Sequence, residues 1–455
     1  MILRRLLPLS LLLALPASGE TPNTPSYCEI ENPPILKSVT VKGLPNFFFR
    51  IFPNLDQNIV SFTGSDGRGN HVLNLDTLED KKAPGTADPV PLWSDDVIIM
   101  PGPIFPKYQL KFVALEDIRN LELSAPDIVV DYEMSGVYPS VAQLQNGPDS
   151  PGSHFYRVLT ALDGVVVRDY KVTKLPASSP KKYLIEFVSR PVRLCPYLNL
   201  TLPQISKDGQ QFIAFDNKSQ TTKIFNVDMF GDPKNPKTCI QLDDFQIATG
   251  KGDFAFGNNS KIAFHMSNMY VGSMAQYPAD NSHMGIFVID RSTRNFYSLH
   301  SNLAGNAYFP VFKPDLKMAF METIPGASDY SLSSNQRFKF TLIDAVKILE
   351  GSSNVRPFQI PTKFFDSETR ATAKFGVGML WNLACRNTPP ENQARDNSLV
   401  SALILDKDKC KSLVEQKWTE FQKRVEEDVK LQQGTINPKV LSQVSKADLL
   451  AACPD

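Results

Sequence analysis

Short apolar runs separated by polar turns recur along most of the chain, and the middle of the chain repeats one shape. Pro203-Gln-Ile-Ser-Lys-Asp208-Gly209-Gln-Gln-Phe-Ile-Ala-Phe215 sets a polar turn before an apolar strand. Phe254-Ala-Phe-Gly-Asn-Asn-Ser-Lys-Ile-Ala-Phe264 and Pro310-Val-Phe-Lys-Pro-Asp315-Leu-Lys-Met-Ala-Phe320 repeat it, and Ile51 to Phe62 is a fainter copy. Each copy precedes a second strand that ends in Asp: Lys223 to Asp228, Gly285 to Asp290, Phe338 to Asp344 and His71 to Asp76. A terminal Asp of this kind bonds to backbone N–H groups in the turn that follows. Asp208 and Asp315 are read as turn formers in the same way.

The pattern predicts a mainly β fold. Short strands rich in Phe, Ile and Ala suit burial on both faces between neighbouring sheets. The anchors Phe215, Phe264 and Phe320 are 49 and 56 residues apart. Four strands with their turns and a modest insertion occupy about 50 residues, the size of a propeller blade. Two weaker units fall near Val90 to Asn120 and Tyr138 to Val172. Six blades are expected, with five or seven as alternatives and a β sandwich as the competing architecture.

The repeats resemble the TolB-type propeller repeats of exported bacterial proteins. That motif reads roughly Pro-x-apolar-Ser-x-Asp-Gly-x-x-apolar-Ala-Phe. Residues 203 to 215 match it well. Residues 310 to 320 lack the Gly, and residues 254 to 264 lack both the Pro and the Asp. The resemblance implies a β-propeller over residues 45 to 365 and identifies no particular family member.

Residues 366 to 455 differ and are expected to form a small α-helical extension. Val414, Trp418, Phe421, Val425 and Val429 make an apolar stripe over Leu413 to Leu431. Asn437-Pro438 and the Ser445/Asp448 pair are helix-start signals. This extension is expected to pack on the propeller.

The N-terminus carries Arg4 and Arg5, an apolar run from Leu6 to Leu15 and small residues at Ala17 to Gly19. That layout is a secretory signal peptide over residues 1 to 19, followed by an N-terminal segment over residues 20 to 44. The run is too short to span a bilayer, so a periplasmic or secreted protein is expected, with no transmembrane segment in the mature chain. Export changes how the six cysteines read: Cys28, Cys195, Cys239, Cys385, Cys410 and Cys453 become disulfide candidates. Sequence proximity suggests Cys195 with Cys239, and two of Cys385, Cys410 and Cys453 together. Three cysteines fall within or before the propeller and three in the tail. Complete pairing within the chain therefore requires a bond between the two regions.

Lys plus Arg total 48, as do Asp plus Glu. A chain of zero net charge lacks the basic surplus of a nucleic-acid binder. No complete catalytic signature is present: no G-x-S-x-G, no H-E-x-x-H and no phosphate-binding Gly loop. One loop is unusual. His265, Met266, Met269, His283 and Met284 crowd into twenty residues, and thioether and imidazole ligands suit copper. Weak copper binding there is the metal expectation, against the plainer reading of Met as adaptable packing. No other cofactor is expected.

The functional expectation is an exported, non-catalytic binding or scaffolding propeller. It would engage a protein or cell-envelope ligand through its rim loops or central funnel. The alternative is an exported hydrolase or metal-dependent oxidoreductase using the funnel. The loops from Met266 to Met284 and from Pro325 to Gln336 would extend the rim.

Overall fold

A computed structural model describes residues 33–42, 47–51, 59–63, 70–83, 89–101, 109–118, 121, 128–145, 152–161, 164–219, 221–230, 239–244, 252–267, 284–292, 295–301, 307–323, 337–350, 358–359, 407–431 and 442–453. Its strands form six antiparallel sheets. The first strand, β1 (Ile35–Lys42), belongs to the last sheet. The first blade follows as β2 (Phe47–Ile51), β3 (Ile59–Thr63), β4 (Asn70–Asn74) and β5 (Asp80–Ala83). The second is β6 (Val90–Pro91), β7 (Val97–Pro101), β8 (Gln109–Ala114) and β9 (Ile128–Ser135). The third is β10 (Val137–Leu144), β11 (Ser153–Ala161), β12 (Val165–Lys174) and β13 (Tyr183–Phe187), and β14 (Val192–Leu194) also pairs with β12.

The fourth blade is β15 (Leu200–Ile205), β16 (Gln211–Asp216), β17 (Thr221–Asn226) and β18 (Gln241–Asp244). The fifth is β19 (Asp253–Ala255), β20 (Asn258–Ser267), β21 (Met284–Asp290) and β22 (Asn295–Ser301). The sixth is β23 (Ala307–Phe312), β24 (Lys317–Thr323) and β25 (Arg337–Asp344), completed by β1 along the edge of β25. The first strand of each blade packs toward its neighbours around the ring, and β2 touches both β6 and β23. This is the six-bladed propeller that the repeats predict.

Two strands come from outside the repeats. β1 lies in the segment that the sequence reading sets before the propeller, and it ties the start of the chain to the last blade. β26 (Phe358–Gln359) pairs with β22 and covers the outer edge of the fifth blade. Both pairings join residues far apart in the chain, so local periodicity carries no sign of them.

The core lies between the blades. β7 and β23 are buried at every residue, and Phe212 stacks on Phe225 within the fourth blade at 5.1 Å. The inner strands carry a recurring irregularity. Tyr138, Leu202 and Phe309 have positive φ, each precedes a proline, and the ladder register shifts there. Proline cannot donate to a ladder, and a bulge is where a strand tolerates it. At or just past two of these bulges, at Leu202 and Phe309, backbone donors turn toward a neighbouring blade. The Ile205 amide donates to Ser140 Oγ at 3.0 Å. The Phe309 amide donates to His265 Nδ1 at 3.2 Å, and the Phe312 amide to Asp253 Oδ2 at 2.8 Å.

The strand-end Asp residues behave as their position predicts. Asp228, Asp290 and Asp344 each accept a backbone N–H two residues on, at 2.9 to 3.0 Å. In the first blade Asn74, not Asp76, takes this role and accepts from the Asp76 and Thr77 amides. Asp208 caps its own turn through the Gln210 amide and also reaches Asn259 of the next blade. Gly209 follows at φ +75°, where a Cβ would stand 2.7 Å from Leu144. Its conformation and its contact with the third blade both require glycine. Asp315 occupies a short turn with φ 62°.

The extension contains α2 (Lys407–Leu431) and α3 (Lys446–Ala452), which pack together. α1 is the single turn Val346–Leu349 that follows β25. Ser445 and Asp448 form the full capping box. The apolar stripe holds in part: Val414, Phe421 and Val425 are buried, and Trp418 stacks on Phe421 at 5.6 Å. The Asn437-Pro438 signal lies outside the described residues. No described helix is long and apolar enough to cross a membrane.

Candidate functional site

Propeller function concentrates in two places, the central channel and the loops around it. The first five blades are meanders, so the turns after their first and third strands emerge on one face. Both regions described below open on that face.

The channel is closed there by its own side chains. Lys207, in the turn after β15, pairs with Asp253 of β19 at 2.7 Å. The lysine ammonium stands 5.0 Å from the Phe256 ring centre and 5.6 Å from that of Trp93. Those two rings lie 4.9 Å apart. Asp253 spends its second oxygen on the Phe312 amide. Four blades thus contribute one interlocked cluster, and the space left among these residues is only about 30 Å³. The ion pair is mostly buried and its charges hold each other and the backbone. The two aromatic rings bring cation–π attraction to the same ammonium.

The seam between the second and third blades is built differently. Asp95, in the turn after β6, is buried and accepts from the Tyr156 hydroxyl at 2.7 Å. It also meets His154 Nδ1 at 3.0 Å. Burial first, then the Asp95 charge, pushes the Tyr156 phenol far above its ordinary value, so it remains a neutral donor. Tyr183 stays neutral as well: burial dominates and raises its phenol, whose oxygen accepts the Asp96 amide N–H at 3.0 Å. Lys182 reaches across to Asp96 at 3.2 Å and to the Leu115 carbonyl at 2.8 Å, and also to the Glu116 carbonyl. Farther along the seam, Arg168 holds Asp131 through both carboxylate oxygens and Glu133 at 3.0 Å. Its guanidinium also covers the Phe187 ring at 4.5 Å.

Arg168 thus links the outer strands β9 and β13, and large apolar side chains on or beside both strands face water. Ile128, Tyr132, Leu184, Phe187 and Val188 are all exposed, Tyr132 at 70%. Single exposed apolar residues are ordinary, whereas several large ones on two linked strands make a candidate contact surface. On the rim face of the same seam, the β12–β13 hairpin and the end of β8 enclose a cleft of about 370 Å³.

The sequence-predicted site residues that are described fall elsewhere. His265 is buried between the fifth and sixth blades, against the Tyr308 and Phe309 rings, and its Nδ1 accepts the Phe309 amide. Met266 and Met284 take part in the β20–β21 ladder. Met269 and His283 lie outside the described residues, as does the loop from Pro325 to Gln336. Among the described residues no group of three or more His, Cys, Asp or Glu is arranged to hold a metal. Cys195 bonds to Cys239, and Cys410 to Cys453. Cys28 and Cys385 lie outside the described residues, as does the signal-like segment. Sequence reasoning passed over Asp95, Trp93 and Lys207. His154 was visible as one of only five histidines, but its partner is 59 positions away.

The fold therefore defines the class: a six-bladed β-propeller with a helical extension. No family model matches the chain, and no curated protein matches it. Solved propeller structures do. TolB from Acinetobacter baumannii is 13% identical, covering 66% of this chain and 65% of that one, with a TM-score of 0.33. The PQQ-bound aldose sugar dehydrogenase from Streptomyces coelicolor is 12% identical over 68% and 99%, with a TM-score of 0.36. The propeller domain of Cps50 (Swd1) from Myceliophteria thermophila is 9% identical over 67% and 98%, with a TM-score of 0.38. Likenesses this distant carry no argument about activity.

Proposed function

We propose that the protein is an exported, non-catalytic binding or scaffolding propeller that engages a protein or cell-envelope ligand. Its contact surface is the outer seam of the second and third blades. The observation that carries this reading is the group Ile128, Tyr132, Leu184, Phe187 and Val188, exposed on or beside two strands that Arg168 links. Aromatic residues flanked by a fixed Arg are the composition of binding hot spots. The channel, in contrast, spends its ionic and aromatic groups on one another. Export is supported by the signal-like N-terminus and by two disulfides.

The test is comparative capture from an envelope fraction. Wild type and the Tyr132→Glu/Phe187→Glu variant are crosslinked in the exported compartment and their partners compared. Loss of the wild-type partner in the variant, with unchanged Tm, supports the reading, and an unchanged partner set overturns it. Sequencing of the mature N-terminus checks export, with Glu20 as the expected first residue.

A further inference from the structure

The rim cleft of the same seam carries a further site. One wall is the end of β8 and the residues after it, Ala114 to Glu116. The other is the β12–β13 hairpin, Lys174 to Lys182. The hairpin is locked by its own bonds. Leu175 N–H donates to the Lys182 carbonyl at 2.8 Å, Ser179 N–H to the Pro176 carbonyl at 2.9 Å, and Lys181 N–H to Ser179 Oγ at 3.2 Å. Pro176 and Pro180 restrict φ on either side of that turn. The wall is thus formed before anything binds, which lowers the ordering cost of binding.

The charges of the cleft divide into a spent one and two free ones. Lys182 is held by Asp96 and by two backbone carbonyls. Lys174 and Lys181 are exposed, and neither has an ion-pair partner among the described residues. Glu116 is the sole carboxylate in the lining. Leu175, Pro176 and Pro180 supply apolar surface between the two lysines. A cleft of about 370 Å³ is in the range of small-molecule sites, roughly 300–1,000 Å³, and well below a protein footprint.

We infer that this cleft binds a small organic anion with a short apolar body. Its anionic head is held by Lys174 and Lys181, and its body lies on Leu175 and the two prolines. The inference rests on reading the seam as a binding surface, but it uses residues separate from Tyr132 and Phe187.

The mature full-length chain is titrated with octanoate by calorimetry, with octylammonium and acetate as controls. Octanoate is expected to bind once per chain, octylammonium at least tenfold more weakly, and acetate without saturation. The Lys174→Glu/Lys181→Glu variant is expected to lose at least tenfold in octanoate affinity with its Tm unchanged. Equal affinity for octanoate and octylammonium, no saturable octanoate binding, or full affinity in the double variant would each overturn the inference. Partner capture separates the two claims. If octanoate fails while Tyr132→Glu/Phe187→Glu still loses its partner, the cleft assignment falls and the seam reading stands. If that variant keeps its partner, the seam reading falls.

Discussion

At the channel mouth, Trp93, Phe256, Lys207 and Asp253 close upon one another. At the seam of the second and third blades, aspartates, lysines, an arginine and tyrosines also interlock, yet they leave Lys174, Lys181 and five large apolar side chains facing water. The two regions draw on the same kinds of residue, so composition does not separate them. What separates them is where the partners come from. In the channel every functional group meets a group from another blade, and the cluster holds the ring together. Along the seam the inner residues do that work, while Lys174 and Lys181 on the hairpin and the exposed apolar side chains on or beside β9 and β13 keep surface open to water. On the proposed reading, binding capacity belongs to what the ring leaves over.

The strongest way to break this comparison is Asp253→Ala. It removes the carboxylate that holds Lys207 and the acceptor for the Phe312 amide. Leaving one partner of a buried pair costs ~3–5 kcal/mol, read as a drop in the urea midpoint, and partner capture by the seam should survive in the folded fraction. Gly209→Val comes next. Its φ of +75° and the close Leu144 contact predict a loss of ~1–3 kcal/mol, again by urea unfolding and again with seam binding intact.

The turn aspartates supply a control outside both regions. Burial pushes Asp290 upward, but bonds from Lys261, Ser292 and Ser260 outweigh it and hold its carboxyl at about 2, against an ordinary 3.8. A depressed folded value means the stabilisation is present above the ordinary value and is lost as pH falls from there toward about 2. Asp290→Asn should remove ~2 kcal/mol near neutral pH and flatten that part of the stability profile. A wild-type profile with no acid limb removed by this variant would contradict the assignment. The smallest effects belong to the exposed seam. Tyr156→Phe, at its inner edge, deletes the bond to Asp95 and the one from the Ser94 amide and should cost ~1–2 kcal/mol. Lys174→Glu/Lys181→Glu should move stability by less than ~0.5 kcal/mol while changing octanoate binding.

The blades were legible in the sequence because their signals are local. The apolar runs, the terminal aspartates and the Asp208-Gly209 turn each act within a few residues. The inner strands were harder to read, since Pro203 and Pro310 look like turn residues. They sit inside strands only because a bulge at Leu202 or Phe309 accommodates them. β1 and β26 were invisible as blade members because their partners are distant in the chain. The same reason hid the candidate site. Asp95 and His154, or Lys207, Trp93 and Asp253, become neighbours only when the ring closes. The crowded His and Met loop drew notice by count, but count cannot show that His265 is turned inward to the Phe309 amide. Cysteine proximity read correctly for Cys195 with Cys239 and for Cys410 with Cys453, both closing modest local loops.

The most direct measurement places a photo-crosslinking phenylalanine analogue at three positions in turn: Tyr132 on the seam, Trp93 in the channel, and Phe230. Phe230 lies on the fourth blade and is fully exposed at 100%, so it controls for exposure alone. Irradiation in the exported compartment should give a defined crosslinked partner from position 132 and none from 93 or 230. A partner captured from position 93 and not from 132 would contradict the account.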